Sequence, residues 1–297
     1  MNKEHLAGYG YLLSVILFSG ILYILGEYLL GGIDIFVFLF YFFFSAAVIS
    51  TPFCLLYFGP RQLGRVLLDN RFPIFKILML AALGAIAWFS LLAQAGATGT
   101  AFYTKLEIPF SILLGVIFLS ERLRTREWVG IFFVFAGISV MSAENVSTAL
   151  PLAALGVASA IFWSAYSMEV KRHSHDFSLV ILNFFRIWSM AIIGFFICLI
   201  LGKSFFISQS QLLLTALNGV VGAIGLQTAY LMSHRYLPIS ILNSVLAIVP
   251  LFVAVTAYFV FDQIPSTYKL VGGAVVLLGV FLISLSHHKR GVEVGPT

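Results

Sequence analysis

The sequence predicts an all-α integral membrane protein, with ten transmembrane helices arranged as two inverted five-helix repeats around a central cavity. Three observations predict it. First, 61% of the 297 residues are hydrophobic and only 10% are charged, a balance foreign to a water-soluble domain. Second, apolar stretches of about 17 to 25 residues, the length a helix needs to cross roughly 30 Å of hydrocarbon, recur with short polar interruptions. Third, the second half of the chain echoes the first at an offset of about 141 to 145 residues.

The predicted spans are 8–29, 35–58, 74–95, 99–119, 127–143, 151–170, 178–201, 211–233, 238–261 and 268–286. Their continuous apolar character excludes a transmembrane barrel, whose strands run about ten residues with polar positions alternating inward. The first span follows "MNKEH" and has no small-residue cleavage site, so it reads as a retained helix rather than a leader. Cys54 and Cys198 both fall inside spans, which argues against a structural disulfide. The net charge of +5 follows the membrane rather than a nucleic acid. With the N-terminus inside, thirteen of the 17 Lys and Arg lie in or beside cytoplasmic segments, against Lys203 and Lys269 on the other side. Both termini are therefore expected in the cytoplasm.

The repeat is clearest in "PFSILLGVIFLSERLRTREWVGIFFVFAGISVMS" (109–142) and "PLFVAVTAYFVFDQIPSTYKLVGGAVVLLGVFLIS" (250–284). Each has a proline, Pro109 or Pro250, near the start of an apolar half-helix and an acidic residue twelve positions on, Glu121 or Asp262. Each then has a helix with glycines seven apart, Gly130 and Gly137 or Gly272 and Gly279. Seven residues is about two turns, so each pair opens a smooth stripe for close helix approach. Upstream, Ser14, Phe18 and Ser19 align with Ser159, Trp163 and Ser164. One unit thus covers residues 1–148 and a second covers 149–297, each with five helices. Because five is odd, the second unit enters the membrane from the opposite face, as in many transporters.

Ionisable side chains inside a span cost about 2.5 to 3.5 kcal/mol at the bilayer centre, so they are kept mostly where they face a bundle interior or water. Lys105 and Glu107, in "TKLEIPF", therefore mark either a substrate cavity or a structural network between helices. Pro109 has no N–H for the Lys105 carbonyl, which predicts a break in the helix and exposed backbone beside both charges. Glu107 is also the candidate to carry a coupled proton. Arg186, in the seventh span, reads first as a structural arginine that snorkels or bonds helix-end carbonyls, and second as an anion contact.

Tyr103, Trp88, Trp163, Tyr166 and Tyr230 carry polar handles at mid-span, away from the interfacial belts where Trp and Tyr usually sit. Singly each suits packing; together they suit a cavity that stacks on an organic substrate. Gln227 and Asn243 need partners that either a solvated cavity or a neighbouring helix supplies. Gly219, Gly222 and Gly225 read as a close-packing face. "HSHD" and the paired His287 and His288 lie in predicted exposed segments and read as solvated loop rather than metal sites.

The half-repeat "P…ERL…WVG…FAGI", the turn "RYLP" (235–238) and "FWSAYS" (162–167) resemble the drug/metabolite transporter superfamily, EamA type. The resemblance covers about residues 8 to 286 and implies a ten-helix carrier of the bacterial inner membrane. It further implies a cavity lined by helices one, three, four, six, eight and nine, and, in many members, export of amino acids or other small metabolites. Two departures stand out: Ile108 separates Glu107 from Pro109, and Asp262 with Gln263 replaces the usual Glu-Arg.

The expected function is secondary transport of an amino acid or similar amphoteric solute, outward by resemblance, with import of a metabolite or cofactor as the alternative. The expected partners are the small-molecule substrate, the lipid bilayer and a coupled proton, without nucleic acid, metal or cofactor. An intramembrane enzyme would need a nucleophile-and-base or metal motif such as H-E-x-x-H or G-x-S-x-G, and the sequence has neither. Ten unequal helices with a bulky aromatic interior and no filter sequence suit a channel poorly.

Overall fold

Hydrocarbon offers the backbone no hydrogen-bond partner, so a chain this apolar must satisfy its N–H and C=O groups within helices. The computed structural model describes residues 3–119, 123–144, 146–173, 176–236 and 245–293, and the regular structure among them is helical. In chain order the helices are α1 (Lys3–Leu30), α2 (Ile35–Asp69), α3 (Arg71–Tyr103), α4 (Glu107–Leu119), α5 (Thr125–Ser142) and α6 (Val146–Arg172). They continue with α7 (Leu179–Ile200), α8 (Gln209–Gly219), α9 (Gln227–Tyr236), α10 (Val249–Phe261) and α11 (Thr267–Glu293). A 3-10 turn, Thr104–Leu106, joins α3 to α4, and a π-helical stretch, Val220–Leu226, joins α8 to α9. Eight helices among the described residues are long and apolar enough to cross a membrane. Phe53, Leu56, Phe132 and Phe259 stand exposed on the outside, where a soluble protein would carry charge.

One of the eight, Arg71–Phe118, is 48 residues long and holds what the sequence divides into the third and fourth spans. It is a hairpin. Its helical run is interrupted at Gly96, whose φ of +71° and ψ of 178° are open only to a residue without Cβ. Lys76, near its start, pairs with Glu169 late in α6, while Arg172 of α6 sits over the ring of Phe118 at the other end of the run. Its start and finish therefore lie together, and Gly96 lies across the bundle from them. Glu27, near the end of α1, accepts the N–H of Ala97 at 2.7 Å. A carboxylate at a freed helix N–H completes the turn and opposes the helix dipole. Gly59, at φ +70° with Pro60 after it, likewise interrupts α2, one residue beyond the predicted end of the second span.

The remaining ion pairs sort the connections into the same two ends. Lys76, Glu169 and Arg172 meet at the amino-terminal end of the bundle. Lys203 pairs with Asp34 at 2.7 Å and Lys269 approaches Glu144 at 3.9 Å at the opposite end. Burial alone pushes the Asp34 carboxyl up, but the Lys203 ammonium and the N–H groups of Phe36 and Val37 outweigh it and hold it below the usual carboxylate range.

Principal packings join α5 with α11, α3 with α6, and α2 with α7. The glycine stripes account for the first. A Cβ on Gly137 would stand 2.5 Å from the Gly272 carbonyl, and one on Gly279 2.6 Å from the Gly130 carbonyl. The helices are thus antiparallel and in backbone contact, with Gly130 facing Gly279 and Gly137 facing Gly272. Gly219, Gly222 and Gly225 pack on Phe42, Leu22 and Phe18, as a close-packing face requires. Buried rings of Phe38, Phe42, Phe43 and Phe89 fill the core between α2 and α3. Cys54 and Cys198 are buried free thiols. Asp262 caps α10 in the left-handed region at φ 53°, whereas its sequence counterpart Glu121 lies outside the described residues.

Candidate functional site

The helix break expected from Pro109 takes the form of the 3-10 turn Thr104–Leu106, after which Pro109 occupies the first turn of α4, where an N–H is dispensable. The turn stands nine residues past Gly96 (105 − 96), about 13 Å along the helix axis, well inside the bundle. α6 supports it from the side. Ser164 donates to the Glu107 carbonyl at 3.0 Å and receives a hydrogen bond from Ser111 at 3.0 Å.

Lys105 does not salt-bridge Glu107. Its Nζ donates at 3.1 Å to the carbonyl of Leu246. Leu246 is four residues before Pro250, which has no N–H to offer that oxygen, so the ammonium supplies the bond that the proline withholds. Pro250 itself falls in the first turn of α10. Both prolines therefore mark half-helix starts, and one side chain ties the two together.

Glu107 has different company. Ser167, Lys105, Tyr23 and Tyr230 all lie within electrostatic reach of its carboxylate. Glu107 and Lys105 both keep accessible surface, and Tyr230 keeps 36% of its own, although all three belong to this interior cluster. Tyr23 packs edge-on against Trp88 at 5.1 Å and its hydroxyl lies 3.4 Å from that of Thr104. Trp163 and Tyr166 meet edge-to-face at 5.2 Å, with Trp163 lying over Gly84 of α3. A carboxylate among aromatic rings is a setting that attracts organic cations.

Arg186 is 5% exposed on α7 and does not snorkel. Its Nε and Nη2 donate to Asn183 Oδ1 at 3.0 and 2.8 Å, while Asn183 donates to the carbonyl of Ala223 in the π-helical stretch. Tyr166 is within electrostatic reach of the guanidinium.

Of the residues singled out by sequence, Lys105 and Glu107 sit at the turn, Tyr230 lies within electrostatic reach of Glu107, and Trp88 packs on Tyr23 beside Thr104; Trp163 and Tyr166 pack on one another on either side of Ser164. Tyr103 turns elsewhere: its hydroxyl bonds Ser142 at 2.7 Å and its ring covers Gly156, in a separate apolar cluster. Gln227 opens α9, partly accessible, its side chain without a hydrogen-bond partner among the described residues. Asn243 lies outside the described residues. Tyr23, Ser167 and Glu27 were missed. Tyr23 carried the same signal as Trp88, a polar aromatic at mid-span; Ser167 had none, because serine is common in apolar helices. Two apolar grooves, of about 460 Å³ beside Phe18, Gly20 and Phe252 and about 250 Å³ beside Phe53 and Tyr57, lie away from the turn.

Eight apolar helices of membrane-spanning length with ionisable groups kept among them define a multi-pass membrane protein, and within membrane spans such groups commonly mark solute pathways. The chain belongs to the EamA-like transporter family, whose model matches residues 6–143 and again 150–285, and so to the drug/metabolite transporter superfamily. It is similar to the S-adenosylmethionine uptake transporter of Rickettsia conorii, 24% identical over 97% of this chain and 95% of that protein. The transporter of the same name from Rickettsia prowazekii is 24% identical over 98% and 96%. One crystal structure, 17% identical, superposes over 96% of this chain and 98% of its own with a TM-score of 0.67, which speaks to the fold.

Proposed function

We propose that the protein is a secondary carrier of an amphoteric organic metabolite, working by alternating access between two inverted five-helix units, with Glu107 receiving the cationic group of the substrate. The carrying observation is that Glu107, deep in the bundle, keeps accessible surface among Tyr23, Tyr230 and Ser167, while Lys105 is engaged by Leu246 instead. Three features support the inverted arrangement. The family model matches twice, α1 and α6 begin at opposite ends of the bundle, and α5 and α11 pair antiparallel through equivalent glycines. The excess of Lys and Arg at the amino-terminal end favours a cytoplasmic location for both termini.

The relatives' names make S-adenosylmethionine the first solute to try and put uptake level with the export expected from resemblance. A sulfonium or ammonium suits a carboxylate ringed by aromatics. Glu107 also serves as the exchange point for a coupled proton, since one carboxylate binds a proton or a substrate cation but not both.

The deciding experiment loads proteoliposomes with a metabolite panel that includes S-adenosylmethionine and follows uptake and efflux under an imposed pH gradient. Glu107→Gln and Lys105→Ala are run beside the unmutated protein. Saturable flux that Glu107→Gln reduces at least tenfold supports the reading. Equal flux in Glu107→Gln removes Glu107 from it, and flux indifferent to the pH gradient removes the proton.

A further inference from the structure

Arg186 is a buried cation with a job still open. Among the described residues no carboxylate lies within ion-pair distance of it, and its hydrogen bonds run to one atom, Asn183 Oδ1. A guanidinium presents five N–H groups along two usable edges. Nε and Nη2 form the side edge, which Asn183 occupies; Nη1 and the second Nη2 hydrogen form the end edge, which remains unoccupied. Burying such a charge without an anion is costly, so a chain keeps it where an anion arrives.

Its setting points the same way. Asn183 is anchored on the Ala223 carbonyl, inside a π-helical stretch, a distortion that recurs at functional sites. That anchor fixes the plane of the guanidinium. Tyr166 lies within electrostatic reach of it, and the next residue along α6, Ser167, lies within electrostatic reach of Glu107. Consecutive residues of α6 thus face toward the surroundings of the buried cation and of the carboxylate.

We propose that Arg186 is the carboxylate anchor of the substrate site, gripping through its end edge the carboxylate of the solute whose cationic group meets Glu107. This rests on the amphoteric reading above. It also moves the anion-binding role from Lys105, which the Leu246 carbonyl engages, to Arg186. Asn183 is a positioning residue: it orients the guanidinium without touching the solute.

The test uses the purified full-length protein and its melting temperature as the binding readout, with L-methionine, L-methionine methyl ester and propionate as probes. The acid is expected to bind the unmutated protein at least tenfold more tightly than the ester, and Arg186→Gln to bind the two alike. Arg186→Lys, which keeps the charge but not the fork, is expected to lose most of the discrimination. It also serves if Arg186→Gln does not fold. Asn183→Ala is expected to weaken discrimination while the ester binds as before. Full discrimination in Arg186→Gln or Arg186→Lys would overturn the anchor. Stabilisation by propionate but not methionine, abolished by Arg186→Gln, would keep the anchor and sink the amphoteric reading. No stabilisation of the unmutated protein by either carboxylate would overturn the anchor, leaving the metabolite panel to judge the carrier.

Discussion

The Lys105 ammonium bonds the Leu246 carbonyl across 141 residues of sequence, and each of the two residues stands four places before a proline, Pro109 or Pro250. Four is the helical hydrogen-bond spacing, so both carbonyls lose their backbone donor to a proline ring. The oxygen in the second half is repaired by the side chain of the residue that holds the matching position in the first. The link binds the starts of the two half-helices to one another.

Removing that donor leaves Leu246 with an unpaired interior carbonyl, at a cost of about 1 to 3 kcal/mol. Lys105→Met, which keeps the aliphatic stem, is therefore expected to lower the melting temperature in detergent by several degrees. A variant that melts with the unmutated protein would show that the bond contributes nothing to stability.

The turn at Gly96 depends on a backbone that other residues reach only with strain of about 1 to 3 kcal/mol. A Cβ there would also stand 2.9 Å from Glu27 Oε1. Gly96→Ala is expected to destabilise more than Glu27→Gln, which keeps an acceptor for the Ala97 N–H and forfeits only charge, worth about 0.3 to 1 kcal/mol. Thermal melts of both variants check the order, and the reverse ranking would remove Glu27 and Gly96 as a matched pair.

Close approach of α5 and α11 leaves no room for a branched side chain. Gly137→Val would press on the Gly272 carbonyl and Val276, and overpacking of this kind costs about 1 to 3 kcal/mol. Gly64→Val, at a position with open space around it, is the control. Comparable losses at both sites would contradict the packing described.

Asp34 carries a pH dependence of definite sign. Its folded value lies below its ordinary one, so its contribution is complete above about pH 4 and is lost as pH falls through the depressed folded value. The pair with Lys203 is partly exposed, which limits the effect to at most about 1 kcal/mol. Melting of the unmutated protein and Asp34→Asn is expected to differ at pH 7 and to converge toward pH 3. A difference that persists unchanged at pH 3 would show that the charge of Asp34 is not its source, since an amide oxygen keeps the N-cap bond with Phe36.

Much of this was legible in the residues. Apolar run length is set by bilayer thickness, so most spans could be placed before any contact was known; of the predicted ninth, 238–261, the first seven residues lie outside the described ones and α10 covers only Val249–Phe261. The predicted gap between the third and fourth spans falls on Gly96, and the predicted end of the second falls beside Gly59. The glycines seven apart announced a helix contact, because removing Cβ at every second turn has few other uses. Around the turn, Lys105 and Glu107 were conspicuous for the cost of their charges. Which group each would meet was not, since a residue two places along a helix points nearly the opposite way and the partner comes from another helix. Arg186 shows the limit: its identity was plain, but whether its long side chain reached water or stayed inside depended on Asn183 and Ala223.

The sequence by itself determined that this chain lives in a bilayer and where charge and proline interrupt its apolar runs, because each follows from local hydrophobicity and local backbone chemistry. Only the tertiary structure decided that Lys105 serves Leu246, that Tyr23, Tyr230 and Ser167 are the electrostatic neighbours of Glu107, and that Tyr103 turns away to Ser142. Those are pairings between helices far apart in sequence, fixed by how the helices rotate and pack against one another. A one-residue rotation of α4 by about 100° would exchange them all while leaving every local pattern unchanged.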